Sequence, residues 1–409
     1  MSRLPLEGMH VVEIGQIVAG PTAGLILADM GADVIKVEPP DAGTASRIGN
    51  MRNGSFFYFN RNKRSIVINL ASPEGREIAM RLIRRADVLI ENIAPGSMDR
   101  LGLGYAKVHQ ENPRLVYCSL KGYLKGPYQS RPLMDEPGQM ASGLAYMTGP
   151  PGQPMRAGAS VVDIGAATYA VIGVLAALLE RQTTGQGQHV TGGLFETALF
   201  LVGQHMSTAQ LTGESPVPML ASRSGPKRRG TAVYDLFNCK DGKQVFIGIN
   251  SDGQWRRICS ALGMEDLAQD PKLNHNPGRS EQREVLMTRI REACAQRDST
   301  EVVDMLVRAD VTVAPVHTPL SVLDDPHVAS EGRTLPVQIG NVAGRLPPLP
   351  YESSAYSFSV RRQPPAEPGE HTSEVLLELG YTVEETETLA RKAVVRGPGL
   401  PGKGISDSD

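Results

Sequence analysis

Cysteine is scarce and scattered: Cys118, Cys239, Cys259 and Cys294 stand far apart among 409 residues, with no CxxC pair. That spacing excludes a zinc ribbon, a thioredoxin-like motif or a disulfide framework, and it fits free or buried thiols in a reducing compartment. No HExxH, GxSxG or paired-histidine pattern occurs, which removes the common zinc- and serine-hydrolase signatures. None of the eight histidines stands in a recognisable nucleophile arrangement with a Ser or Cys, and they read as surface or packing residues. A net charge of −2 with both signs interspersed gives no electrostatic case for nucleic acid or an anionic membrane as partner. The longest apolar run, 164–179, is short of the ~20 residues of a membrane span. It is rich in Ala and Gly and reads as a buried core helix. The first residues carry no apolar segment of a secretory signal, so a cytoplasmic location is expected.

What remains is an ordinary globular composition, 41% hydrophobic and 21% charged, long enough for two or three domains. The first 130 residues alternate between periods. Strand patterns at 10–14, 33–37, 65–70, 87–90 and 115–120 are separated by helical ones, notably 22–30. A further helix opens at Ser72-Pro73-Glu74-Gly75, with Ser as cap and Pro in the first helical position. Strand–helix–strand repetition predicts an α/β fold with a parallel, doubly wound sheet over roughly residues 1–215. After a Pro/Ser/Gly-rich stretch, strand-like pieces flank a turn at Asp241-Gly242 and helical patterns follow. Residues 226–325 therefore read as a smaller α+β domain inserted into the first. Residues 330–395 return to the first domain, and 396–409 read as a disordered tail.

Two glycine motifs need separating. The GxxxxGK-like run at 397–403 has no following Ser/Thr or helix and sits in the tail, so it is coincidental. Gly15 to Gly20 is not a dinucleotide fingerprint either. It nevertheless joins a strand to a helix, where backbone N–H groups can meet an anion or phosphate.

Asp163 is the candidate reacting group. It is the only carboxylate in an uncharged run from Ala157 to Leu179, among Gly158, Ala159, Ser160, Gly165, Ala166 and Ala167. A charge among small and apolar residues is paired, caps something or reacts. Asp163 directly precedes the helical pattern 164–181, so an N-cap is one reading. A reacting carboxylate, approachable past small neighbours and held ionised by the helix dipole, is the other.

The chain resembles the family III coenzyme A transferases, the group of formyl-CoA transferase and the carnitine CoA-transferases. The resemblance rests on Leu6-Glu7-Gly8, Ala19-Gly20-Pro21, Gly31-Ala32-Asp33-Val34-Ile35-Lys36-Val37-Glu38 and Asn62-Lys63-Arg64-Ser65-Ile66. It continues through Ala86 to Asn92, Pro95-Gly96-Ser97-Met98-Asp99-Arg100-Leu101-Gly102, the Asp163 segment, Thr184-Gly185-Gln186-Gly187-Gln188 and Gly369-Glu370-His371-Thr372. It implies a Rossmann-like large domain, a small domain and an interlocked ring homodimer. It also implies Asp163 as nucleophile, with Gln16, Ile17 and Ala19 lining the adenine end of CoA. Asn92, Ile93, Ala94, Arg100 and Lys121 would hold its pantetheine and phosphates. Pro39 and Ala71 stand where formyl-CoA transferase has basic CoA contacts, leaving Arg47, Arg64 or Arg131 as candidate substitutes.

The implied chemistry is covalent: Asp163 attacks an acyl-CoA thioester, and an anhydride and then an aspartyl-CoA thioester form in turn. Helix-start amides after Asp163, and the Gln139 amide, are candidate donors to the tetrahedral intermediates, with Asp135 or Glu136 orienting. No metal and no permanently bound cofactor is implied, since coenzyme A arrives as acyl-CoA substrate. Residues 222–229 are a candidate lid. Its basic side chains Arg223, Lys227, Arg228 and Arg229 are either a solvated loop or the grip on a dicarboxylate. The expectation is CoA transfer from succinyl-CoA to a small dicarboxylate such as itaconate, mesaconate or citramalate. The competing readings are an α-methylacyl-CoA racemase, disfavoured by Met134 where its histidine would fall, and a non-catalytic CoA-binding protein.

Overall fold

The computed structural model describes residues 3–40, 54–218 and 231–402. The chain divides into two compact units. One contains 1–145, 155–216 and 330–409; the other contains 146–154 and 217–329.

The first unit is built on a seven-stranded sheet. Its strands are β1 (His10–Ile14), β2 (Asp33–Glu38), β3 (Lys63–Ile68), β4 (Val88–Glu91), β5 (Val116–Lys121) and β6 (His189–Gly193). A late two-residue strand, Val395–Arg396, completes it in antiparallel pairing with β3. From that edge the order runs β3-β2-β1-β4-β5-β6, all parallel. Strand β6 lies outside the sequence-based strands because its Gly192-Gly193 end weakens the β signal. Arg396, expected to begin a disordered tail, instead pairs with Val67, and Leu400 packs against the core.

Alternation along the strands builds two cores. Val12 and Ile14 face one side with Ile35, Val37, Ile66 and Ile68, and meet Ile78, Leu82 and Ile83 of helix Pro73–Arg85. That helix is capped as the sequence indicates, Ser72 Oγ accepting from Gly75 N–H at 3.0 Å. Val375, Leu376 and Ala390 from the returning segment complete this layer. Val11, Val34, Val88 and Ile90 face the other side, against Ala23 and Leu27 of helix Ala19–Asp29 and Ala166, Ala167 and Ala170 of helix Val161–Thr184. Alanine at the contacts lets the two helices approach closely.

Glu13 points into this second layer and is fully buried, so it needs partners. Its two oxygens accept from Lys36 at 2.8 Å and Lys63 at 2.7 Å. Gly24 makes the space: a Cβ there would lie 2.0 Å from Glu13 Oε2.

Helix Val161–Thr184 has the length and hydropathy of a membrane span, yet Val162, Ala166, Ala170, Val174 and Ala177 bury one face in the core. Its other face leaves Tyr169, Ile172 and Leu179 exposed, and Tyr169 meets the exposed Phe200 of helix Leu194–Thr212 edge to face.

The second unit has its own core. An antiparallel sheet, β7 (Tyr234–Asn238), β8 (Gln244–Gly248) and β9 (Thr312–Pro315), has β8 at its centre. Gly242, at φ 75°, makes the turn before β8. Trp255, Ile258, Met287, Ile290 and Leu306 from three helices cover the sheet.

Candidate active site

Sheet order reverses between β1 and β4, and the crevice beyond the carboxyl ends of these strands is where open α/β sheets take ligands. A cavity of about 1330 Å³ lies there, entirely within the first unit. That exceeds the ~300–1,000 Å³ of ordinary small-ligand pockets.

The loop after β1 is tied to the loop after β4. Asn92 Oδ1 accepts from Gln16 N–H at 2.8 Å and Asn92 Nδ2 donates to Gln16 O at 2.9 Å. Gly20 is required beneath this clasp, because a Cβ would lie 2.8 Å from Asn92 Oδ1. The clasp holds Ile17 in left-handed backbone (φ 64°), rare for a β-branched residue, with its side chain exposed at the cavity mouth. Gln16, Ile17, Ala19, Asn92, Ile93, Ala94 and Lys121 all line the cavity. Lys121 is already engaged, donating to Glu91 Oε2 at 2.7 Å and Ile93 O at 2.9 Å. Arg100 does not line it; that side chain is exposed and donates to Ser97 Oγ at 2.7 Å.

Asp163 lines the same cavity. Helix Val161–Thr184 starts earlier than the sequence pattern indicates, with Ser160 in the cap position and Asp163 third in the helix. The carboxylate at the helix amides belongs instead to Asp135, 28 residues upstream: its Oδ1 accepts from Val162 N–H at 2.8 Å and Asp163 N–H at 3.4 Å. Two expectations are corrected by this. Those amides, with Ile164 N–H on Ser160 O at 3.0 Å, are occupied and do not await an oxyanion. Asp163 does stand in the first turn, but the helix start does not decide its charge. Burial, then the Asp135 charge, push its carboxyl up to about 6, against the opposing pull of Arg156.

Gln139 is also relocated. It is fully buried, donating to Asp135 Oδ2 at 2.6 Å and accepting from Ala157 N–H at 2.8 Å. One end holds Asp135 and the other the Ala157 backbone, so Gln139 supports the site without lining the cavity. Asp135 lines the cavity, as does Glu136.

Arg156 was not anticipated. Its guanidinium lines the cavity 3.4 Å from Asp135 Oδ2 and 3.8 Å from Glu136 Oε2, with 40% of the side chain exposed. The sequence signal was present: Arg156 is the charge that ends the uncharged run beginning at Ala157.

Of the substitute phosphate anchors, Arg131 lines the cavity with its guanidinium 3.9 Å over the Tyr128 ring. Arg64 does not, being pinned by Asp33, Glu374 and Glu378 at the opposite end of the sheet. Arg47 and the basic side chains of 222–229 lie outside the described residues. Pro39 lines a small neighbouring cavity with Gln16 and Ile17. The Ala71 carbonyl accepts from Arg76 at 2.7 Å. Two Ser–His side-chain contacts form among the described residues, Ser119 Oγ to His189 Nε2 at 2.9 Å and Ser321 Oγ to His317 Nδ1 at 3.4 Å, and both lie outside the cavity lining. No histidine lines the cavity among the described residues, and Met134 stands there exposed.

The match to known proteins spans the same frame. The model of CoA-transferase family III matches residues 6–372. This chain belongs to that family. It is 31% identical over 400 residues to a succinate–glutarate CoA-transferase of Agrobacterium fabrum, covering 94% of this chain and 98% of the relative. It is 33% identical over 407 residues to a succinyl-CoA–D-citramalate CoA-transferase of Chloroflexus aurantiacus, covering 96% and 98%. The crystal structure of a CAIB/BAIF family protein from Brucella suis superposes with a TM-score of 0.81 at 32% identity, covering 92% of this chain and all of that one. The protein is thus a CoA-transferase, with CoA thioesters as substrates.

Proposed function

We propose that this transferase moves CoA from succinyl-CoA to a small dicarboxylate, with Asp163 as the nucleophile. The observation that carries the reading is Asp163 itself, partly buried on the wall of a large cavity with its carboxyl raised to about 6. A carboxylate of raised basicity is a better nucleophile and still ionises near neutral pH. Asp163 attacks the thioester carbonyl, the C–S bond breaks, and a mixed anhydride and free CoA thiolate result. The thiolate attacks Asp163 Cγ, releasing the first acid and leaving aspartyl-CoA. The incoming carboxylate reverses both steps. The loops carrying Gln16, Ile17, Ala19, Asn92, Ile93 and Ala94 take the CoA chain, with Arg131 near its phosphates.

Succinyl-CoA as donor and a dicarboxylate as acceptor are supported by the activities named for the glutarate and D-citramalate relatives. No histidine lines the cavity among the described residues, which favours transfer over racemisation. The working form is an interlocked homodimer. The exposed Tyr169, Ile172, Leu179 and Phe200 supply the kind of apolar surface that association covers.

The test is a panel of dicarboxylates and monocarboxylates incubated with succinyl-CoA and scored for new thioesters. Mass spectrometry of the trapped enzyme accompanies it. New thioesters together with a CoA adduct on Asp163 are expected. An adduct on another residue, or full turnover by Asp163→Ala, rejects the nucleophile.

A further inference from the structure

The cavity wall carries three carboxylates and three cations, and the reaction brings in another anion. Asp135, Glu136 and Asp163 face the cavity together. Among its cations, Lys121 is neutralised by Glu91 at 2.7 Å and Arg131 lies over Tyr128. Arg156 is the cation whose charge acts on Asp163. Its contacts to Asp135 at 3.4 Å and Glu136 at 3.8 Å are long for charge-assisted hydrogen bonds, which run ~2.7–2.9 Å. Asp135 does not depend on it, since Val162 N–H at 2.8 Å and Gln139 Nε2 at 2.6 Å already hold that carboxylate. The guanidinium therefore shares the cavity lining with the nucleophile, part exposed, its Nε donating to Ala157 O at 3.2 Å and its two terminal nitrogens no closer than 3.4 Å to a carboxylate among the described residues.

We infer that Arg156 binds the reacting carboxylate of the free acid, holding it against Asp163. This rests on the transferase reading above and adds the residue that seats the acid. Covalent loading of Asp163 with CoA converts its carboxylate to a neutral thioester and removes one negative charge from the wall. The acceptor's carboxylate brings that charge back and meets the planar pair of donors that Arg offers. Its oxygen then attacks Asp163 Cγ, the C–S bond breaks and CoA leaves as thiolate. The thiolate next attacks the acid's carbonyl carbon, the anhydride C–O bond breaks, and Asp163 recovers its charge as the product thioester forms. Total charge is unchanged at each step and no proton moves. Arg156 faces the acid's carboxylate before attack and the enzyme's after product forms; between them, at the anhydride, the charge sits on the CoA thiolate.

Steady-state kinetics of Arg156→Gln and Arg156→Lys, with succinyl-CoA and the acid the wild type uses best, test this. In Arg156→Gln the KM for the acid rises about tenfold to a hundredfold, the loss of a charge-assisted pair. The KM for succinyl-CoA changes far less, and Arg156→Lys falls between. An unchanged acid KM in Arg156→Gln, or equal rises for both substrates, overturns the assignment while leaving the transferase reading intact. Thermal melting of both variants joins the measurement: if both unfold, Arg156 is structural and the assignment falls. A wild type that transfers CoA to no acid sinks the transferase reading and this one with it.

Discussion

Replacing Asp163 by Asn removes the proposed nucleophile, and the same change should make the protein more stable. The carboxyl is displaced from 3.8 to about 6 by burial and by Asp135. At about 1.4 kcal/mol per pH unit, ionising it in the folded chain costs about 3 kcal/mol at most. The cavity admits solvent, and screening reduces this to about 1–2 kcal/mol. Because the folded value lies above the unfolded one, the protonated form favours folding. That contribution is complete below about 3.8 and is lost as pH rises through about 6. An amide stays neutral at every pH, so Asp163→Asn should exceed the parent by about 1–2 kcal/mol near pH 8, the gap closing toward pH 4. Urea titrations of both proteins at the two pH values measure it. A gap that is absent near pH 8, or one that widens on acidification, refutes the reasoning.

Two further perturbations separate neighbouring roles. CoA transfer should decline as pH falls through about 6, since Asp163 attacks only when ionised. Asp135→Asn removes one negative neighbour and should shift that acid limb of kcat/KM for succinyl-CoA to lower pH; a limb that stays or rises contradicts the charge assignment. Glu13→Gln leaves the buried Lys36 and Lys63 without their shared anion and should cost about 3–5 kcal/mol in urea unfolding. A loss below about 1 kcal/mol would show that the two lysines do not need it.

The sheet was legible because its strands are buried on both faces and read as apolar runs separated by helical periods. Two strands were not. Residues 189–193 end in two glycines, and Val395–Arg396 is too short to show any period. Asp163 stood out because a single charge in a long uncharged run is conspicuous on one line of text. Its surroundings did not, because they depend on distance in space. The capping carboxylate comes from Asp135 across 28 residues, and Gln139 orients that carboxylate from the turn behind it. Local sequence placed Asp163 in the cap because nothing nearby revealed that the post was already filled. Arg156 closes that uncharged run, and only the fold brings it to the cavity wall.

With Asp135 bound to the amides of Val162 and Asp163, the helix stays anchored whatever covalent state Asp163 passes through. An aspartate doing both jobs would loosen its own scaffold each time it was esterified. In the proposed reaction, dividing the labour between two carboxylates lets one be consumed and regenerated every turnover while the other keeps the helix in place.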